Sequence, residues 1–93
     1  IRHGLIRSVY SIGDAEAEVI EAQVISTSSI AGKFLKDIEW PDGALVGIIK
    51  QRSGITIPKS DTKFEDGDIV TLFSLSKDIA QIENLLQAGV DFF

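Results

Sequence analysis

Apolar residues in this chain come in short runs, and each run is closed by a turn signal. Leu5 to Ile12 stops at Gly13-Asp14. Ala15 to Ile25 stops at Ser26-Thr27-Ser28-Ser29. Ala44 to Lys50 stops at a Gln51–Gly54 turn built on Ser53-Gly54. Ile69 to Leu75 is preceded by Glu65-Asp66-Gly67-Asp68. Such punctuation reads as short strands and hairpins. No run reaches the ~18 residues that a membrane-spanning helix needs.

The first two runs flank Gly13-Asp14 as a hairpin would. Ala15-Glu-Ala-Glu-Val-Ile-Glu-Ala is made largely of good helix formers, but the run continues through Val24 and Ile25 with little helical stripe, which favours two strands. Ile30, Phe34, Leu35 and Ile38 fall at i, i+4, i+5 and i+8. This spacing predicts a short helix from Ile30 or Ala31 to Ile38, capped by Ser28 or Ser29 and closed before Pro41. Ala44–Lys50 reads as a strand, Ile55–Pro58 as its short return with Pro58 at a strand end or sheet edge, and Ile69–Leu75 as a further strand. Ser76 is placed to cap a helix to about Gln87, with Asp78 in its first turn, a stripe of Ile79, Ile82, Leu85 and Leu86, and Gly89 as its stop. Phe92 and Phe93 are expected to pack back on the domain or on a neighbouring subunit. The order β-β-α-β-β-β-α predicts an α+β domain with a mixed, largely antiparallel sheet and two helices.

The 93 residues suffice for one domain. Nine basic against fourteen acidic residues leave a net charge of −5. That disfavours nonspecific binding to nucleic acid or to anionic membranes, both of which select a basic face. The absence of cysteine excludes disulfides, a thiol nucleophile and cysteine-ligated zinc. The single histidine, His3, excludes mechanisms that need two and has no neighbour in sequence to orient it. The chain begins Ile1-Arg2-His3-Gly4 without Met or a signal-peptide pattern, so it is expected to be part of a longer protein. Charge is uneven: Asp14, Glu16, Glu18 and Glu21 form an acidic stretch, and Lys50, Arg52 and Lys59 a basic one.

An ordered set of short pieces runs through the chain. Glu21-Ala-Gln-Val is followed by Ser26–Ser29, Ile30-Ala-Gly-Lys33, Leu35 and Ile38. Pro41-Asp-Gly-Ala-Leu-Val-Gly-Ile-Ile, Ile57-Pro-Lys-Ser-Asp-Thr62 and Glu65-Asp-Gly-Asp68 come next, before an apolar strand. This set resembles the C-terminal domain of TrkA-type potassium uptake proteins (TrkA-C, or RCK_C) over about residues 15–88. Arg7–Ile20 and the Phe-Phe ending are similar to the two-repeat kind. The resemblance implies residues 1–14 as the end of a preceding linker with the first strand of a hairpin, and 15–93 as the domain. It implies a homodimer that follows a dinucleotide-binding RCK_N domain in the same chain. It also implies a cytoplasmic assembly on the inner face of the plasma membrane that gates a potassium-conducting subunit, without inserting into the membrane itself. NAD(H) or ATP is expected only in the RCK_N part, since the GxGxxG signature is absent here.

In effector-binding relatives the strand and hairpin matching Ile48, Ile49, Arg52, Thr56, Ile57 and Pro58 line the dimer cleft. Lys50 and Lys59 are candidate anion contacts, and Arg52 suits a phosphate clamp. Thr56 stands where relatives that bind cyclic dinucleotides want an amide, which departs from that ligand's pattern. Leu45 and Ile49 are expected on one face of the strand, with Val46 and Ile48 on the other, as in a strand covered on both sides. Glu65, Asp66 and Asp68 supply three carboxylates within four residues, enough to imagine a divalent cation. The spacing is not that of an EF-hand, and a tight turn with Gly67 at positive φ accounts for it. Ser26, Ser28 and Ser29 have no nearby histidine and are better explained as caps than as nucleophiles; no catalytic or metal-binding residue is assigned. Two readings remain: an effector sensor, supported by the basic hairpin, and a pure assembly module, supported by the apolar strand. The same domain type also serves other cation channels, antiporters and anion carriers.

Overall fold

The computed structural model describes residues 6–87. Five strands, β1 (Ile6–Ile12), β2 (Ala17–Gln23), β3 (Ala44–Gln51), β4 (Gly54–Thr56) and β5 (Ile69–Leu75), form one sheet in the order β1-β2-β5-β3-β4. Every neighbouring pair is antiparallel, so the sheet is wholly antiparallel rather than mixed. The α+β class holds, and the predicted strands are all present. Gly13, at φ 66°, opens the β1–β2 turn, and Ala15 completes it in the same left-handed region at φ 65°. The return strand β4 is only three residues long, and Pro58 lies beyond it, buried rather than on an open edge.

Helix content is lower than the sequence predicts. Among the described residues one α-helix forms, α1 (Ile79–Leu86), entered through a 3-10 turn at Ser76–Asp78. The segment expected as a helix before Ile38 contains only a 3-10 turn, Leu35–Asp37. The reason lies in its backbone donors. The amides of Gly32, Leu35 and Lys36 donate to the carbonyls of Phe64, Thr62 and Ser60, and Phe64 donates back to Lys33. These groups are spent on a neighbouring extended segment, so no helical ladder can form. The apolar spacing still buries Ile30 and Ile38, while Phe34 is left 38% exposed.

The serines are corrected too. Ser76 caps no helix; its hydroxyl donates to the Ala15 carbonyl, and its amide donates to Glu16 O. The hydroxyls of Ser28 and Ser29 donate to Leu85 O, in the last turn of α1. They satisfy a carbonyl at a helix C-terminus instead of amides at an N-terminus. The helix is therefore tied at one end to the β1–β2 hairpin and at the other to the segment after β2. His3, Gly89, Phe92 and Phe93 lie outside the described residues.

The core sits between α1 with its flanking segments and one face of the sheet. Ile79, Ile82 and Leu86 of α1 join Ile20, Ala22, Val46, Ile49, Val70 and Leu72 of the strands in one buried cluster. Phe64 is its largest fully buried side chain and takes the edge of Trp40 at 6.1 Å between ring centroids. Trp40 is thus a packing residue. Phe64→Ala is expected to lower the unfolding free energy by about 3–5 kcal/mol. Urea unfolding would show this as a lower midpoint at unchanged slope.

Candidate functional site

A β-bulge decides which side chains the sheet offers to the outside. The pairing of β3 with β5 shifts between Val46 and Ile48, with Gly47 as the extra residue. A strict alternation would place Leu45 with Ile49 and Val46 with Ile48. The bulge breaks that pattern. Val46 and Ile49 both lie in the core, at 8% and 0% exposure, while Leu45 and Ile48 share the opposite face at 65% and 43%. The ring of Phe73 lies across Gly47, where any β-carbon would collide with it. A side chain at position 47 would displace that ring.

The strand registers define what this second face carries. One row runs Tyr10, Val19, Phe73, Leu45; beside it lies Ile12, Ala17, Leu75. A third row, Arg7, Glu21, Thr71, Ile48, is more polar and holds an Arg7–Glu21 ion pair. At the β3–β4 edge, Lys50 stands between Ile69 and Ile55. Tyr10, Ile12, Leu45, Ile48, Ile55, Phe73 and Leu75 are all exposed. A sheet with one solvated face ordinarily alternates apolar and polar residues; this one is apolar on both. Contiguous apolar surface of this kind marks an interaction site.

The predicted site residues fall into three groups. Ile48, Thr56 and Ile57 are exposed, with Ile57 at 74%, and Lys50, Arg52 and Lys59 project to solvent. Ile49 and Pro58 are buried, and Ile49 belongs to the core face, so neither lines an open surface. Lys50 and Arg52 share an open groove of about 820 Å³ with Ser53, Glu65 and Asp66. Lys59 is not part of it; its amide is held by the Thr62 hydroxyl at 2.8 Å.

At the base of the groove Gln51 Nε2 donates to Asp68 Oδ2 at 2.8 Å and to Lys63 O at 3.0 Å. The same carboxylate accepts from the Glu65 amide at 2.8 Å, and Gly67 supplies φ 92°. The Glu65–Asp68 stretch is thus a tight turn locked by its own aspartate. No group of three or more metal-ligating side chains converges among the described residues. Gln51 and the acidic wall of the groove were not among the expected site residues; that β3 is apolar on both faces was expected, but the way its residues divide between the faces was not. Gly47 inside an apolar strand was the available signal, since an isolated strand glycine suggests a bulge or a close approach.

Residues 19–87 match the family model of the TrkA-C domain. The chain belongs to the TrkA-C domain family. It is 36% identical over 93 residues to the Trk system potassium uptake protein TrkA of Azorhizobium caulinodans, covering all of this chain and 20% of that protein. The protein of the same name from Halomonas elongata is 34% identical over 97 residues, again across the whole chain and 21% of the relative. TrkA homolog 2 of Methanosarcina mazei is 32% identical over 82 residues, 88% of the chain and 18% of the relative. This TrkA-C domain therefore spans about a fifth of the length of these curated relatives.

Asp68→Ala removes the acceptor that both Gln51 and the Glu65 amide use. It is expected to cost about 1–3 kcal/mol. Faster amide hydrogen exchange at Glu65 and along the β3–β4 turn would show the loosening directly.

Proposed function

We propose that this TrkA-C domain is a non-enzymatic regulatory domain of a Trk-type potassium uptake system, working as a pair of identical copies. The supporting observation is the open face of the sheet. Its apolar rows span β1, β2, β5 and β3, and nothing among the described residues covers them. A second copy laid face to face would meet the same surface, as a two-fold contact requires. In that arrangement the relative angle of the copies is the regulated quantity. It would pass to a preceding nucleotide-binding domain, the place for NAD(H) or ATP, and through it to a membrane potassium-conducting subunit. The working location is the cytoplasmic side of the plasma membrane. Among the described residues no helix is long and apolar enough to cross a membrane.

A small anionic effector fits the edge of this face. Lys50 stands on it beside Ile48 and Ile55, and Arg52 extends the cationic surface round the β3–β4 turn. An effector shifts the paired state only by binding two arrangements unequally. The second reading, a pair without effector, rests on the groove's mixed charge. Glu65 and Asp66 face the same space as Lys50 and Arg52 and compete with any anion there.

Two experiments test these readings. Leu45→Asp with Ile48→Asp puts two charges on the open face and leaves the core side untouched. Light scattering is expected to drop from the mass of two chains to that of one, with circular dichroism unchanged. An unchanged pair would remove the open face as the interface. In a thermal-melt screen against nucleotides, cyclic dinucleotides and inorganic phosphate, an effector at about 100 times its Kd adds about 2.7 kcal/mol. For a domain this small that is on the order of 10 °C. The shift should vanish in Arg52→Ala while the pair persists. A stable pair that no anion shifts establishes the assembly reading.

A further inference from the structure

The two extended segments that replaced the expected first helix carry a feature that the open face does not use. Residues 32–36 and 60–64 are laced by four backbone hydrogen bonds, Gly32 to Phe64, Phe64 to Lys33, Leu35 to Thr62 and Lys36 to Ser60. Lys33, Lys36 and Lys63 stand on this pair and Lys59 directly before its second segment, all four exposed. Between them the Phe34 ring is 38% exposed, with Lys36 Nζ 5.7 Å and Lys63 Nζ 5.9 Å from its centroid. Asp37 and Asp61 are close in sequence, yet none of the four lysines is in an ion pair among the described residues. An exposed aromatic between unpaired cations, on a backbone this well fixed, is prepared for an anionic surface with a small apolar element.

The same chain displays such a surface at its other end. The β1–β2 turn presents Asp14 and Glu16, both exposed, on either side of Ala15, with no base between Asp14 and Glu21. The turn is rigid, since Ala15 O and Glu16 O accept from the Ser76 hydroxyl and amide. The two surfaces lie at opposite ends of β2. That strand leaves the acidic turn at Ala17 and ends at Gln23. Val24 then bonds to Asp68 and Gly67, beside the Phe34–Phe64 segments. Seven strand residues at about 3.3 Å each separate the ends by about 20 Å. No chain can close that contact on itself.

We infer that the lysine–Phe34 patch receives the acidic β1–β2 turn of a second copy, giving a head-to-tail contact distinct from the face-to-face pair. Because each copy uses one end to give and the other to take, the contact is heterologous. It builds rings or open strings according to its angle. Combined with the paired faces, it would organise pairs into larger assemblies. An anionic membrane surface is the rival occupant, and the vesicle arm of the test separates it from a second copy.

The test is sedimentation of the purified chain across a salt series. Association beyond the pair is expected at about 10 mM salt, where the screening length is about 30 Å, and should vanish toward about 1 M, where it is about 3 Å. Lys36→Glu with Lys63→Glu should abolish it, as should Asp14→Lys with Glu16→Lys, each leaving the pair intact. Mixing the two variants joins a reversed turn to a reversed patch and should restore heterologous association. Repeating the series in Leu45→Asp with Ile48→Asp separates this contact from the face-to-face one, because low-salt association of single chains should persist there. Masses indifferent to salt and to both reversals would overturn the inference. So would an assembly unchanged by the lysine reversals while polyglutamate or phosphatidylglycerol vesicles lose their binding. That result would assign the patch to a different acidic partner.

Discussion

A five-stranded sheet has two faces, and the described residues cover one of them. The eight-residue helix α1, with the extended segments before β3 and before β5, buries Ile20, Ala22, Val46, Ile49, Val70 and Leu72. The other face keeps Leu45, Ile48, Phe73 and Leu75 at 43% exposure or more. Leaving these half-exposed aliphatic and aromatic side chains in water forgoes part of the roughly 1.5–3 kcal/mol that fully burying each would gain. That unspent free energy is the reason to read the face as half of an interface. In the proposed pair, that face would also link the fold to regulation, because a partner covering it would be displaced by whatever moves the sheet.

The covered side is held by bonds that span the molecule. The Ser76 hydroxyl and amide fasten the start of the helical segment to the β1–β2 turn, and Ser28 and Ser29 fasten its last turn to the chain leaving β2. Gln51 and Asp68 fasten the β3–β4 turn to the loop that enters β5. A disturbance at the hairpin groove therefore reaches β5, which lies at the centre of the sheet between β2 and β3. The hairpin, the open face and the helix form one mechanically connected unit, as transmission of a binding event requires.

Much of this was legible in the residues. Gly13-Asp14, Ser53-Gly54 and Glu65–Asp68 mark the turns, and the short apolar runs between them are the strands. The family resemblance follows from the order of those pieces and covers the region that matches TrkA-C. Three things were not legible. The helical spacing of Ile30, Phe34, Leu35 and Ile38 cannot reveal that the backbone donors of Gly32, Leu35 and Lys36 are taken by residues 60–64. The serines suit capping chemically, but which helix end they serve depends on tertiary placement. Strict alternation along Leu45–Ile49 fails because one glycine inserts a bulge, and a shift of one residue moves side chains to the other face. The bulge also puts Ile49 in the core, so that Ile48 rather than Ile49 shares the open face with Leu45.

In the proposed pair the open face is buried against its own copy. An isotope-filtered nuclear Overhauser measurement on an equal mixture of labelled and unlabelled chain tests it most directly. Contacts between copies are expected to join Leu45, Ile48 and Leu75 methyls to the Phe73 and Tyr10 rings. Contacts between copies confined to α1 or to the strand edges, with the open-face methyls reached by a soluble relaxation agent, would contradict it.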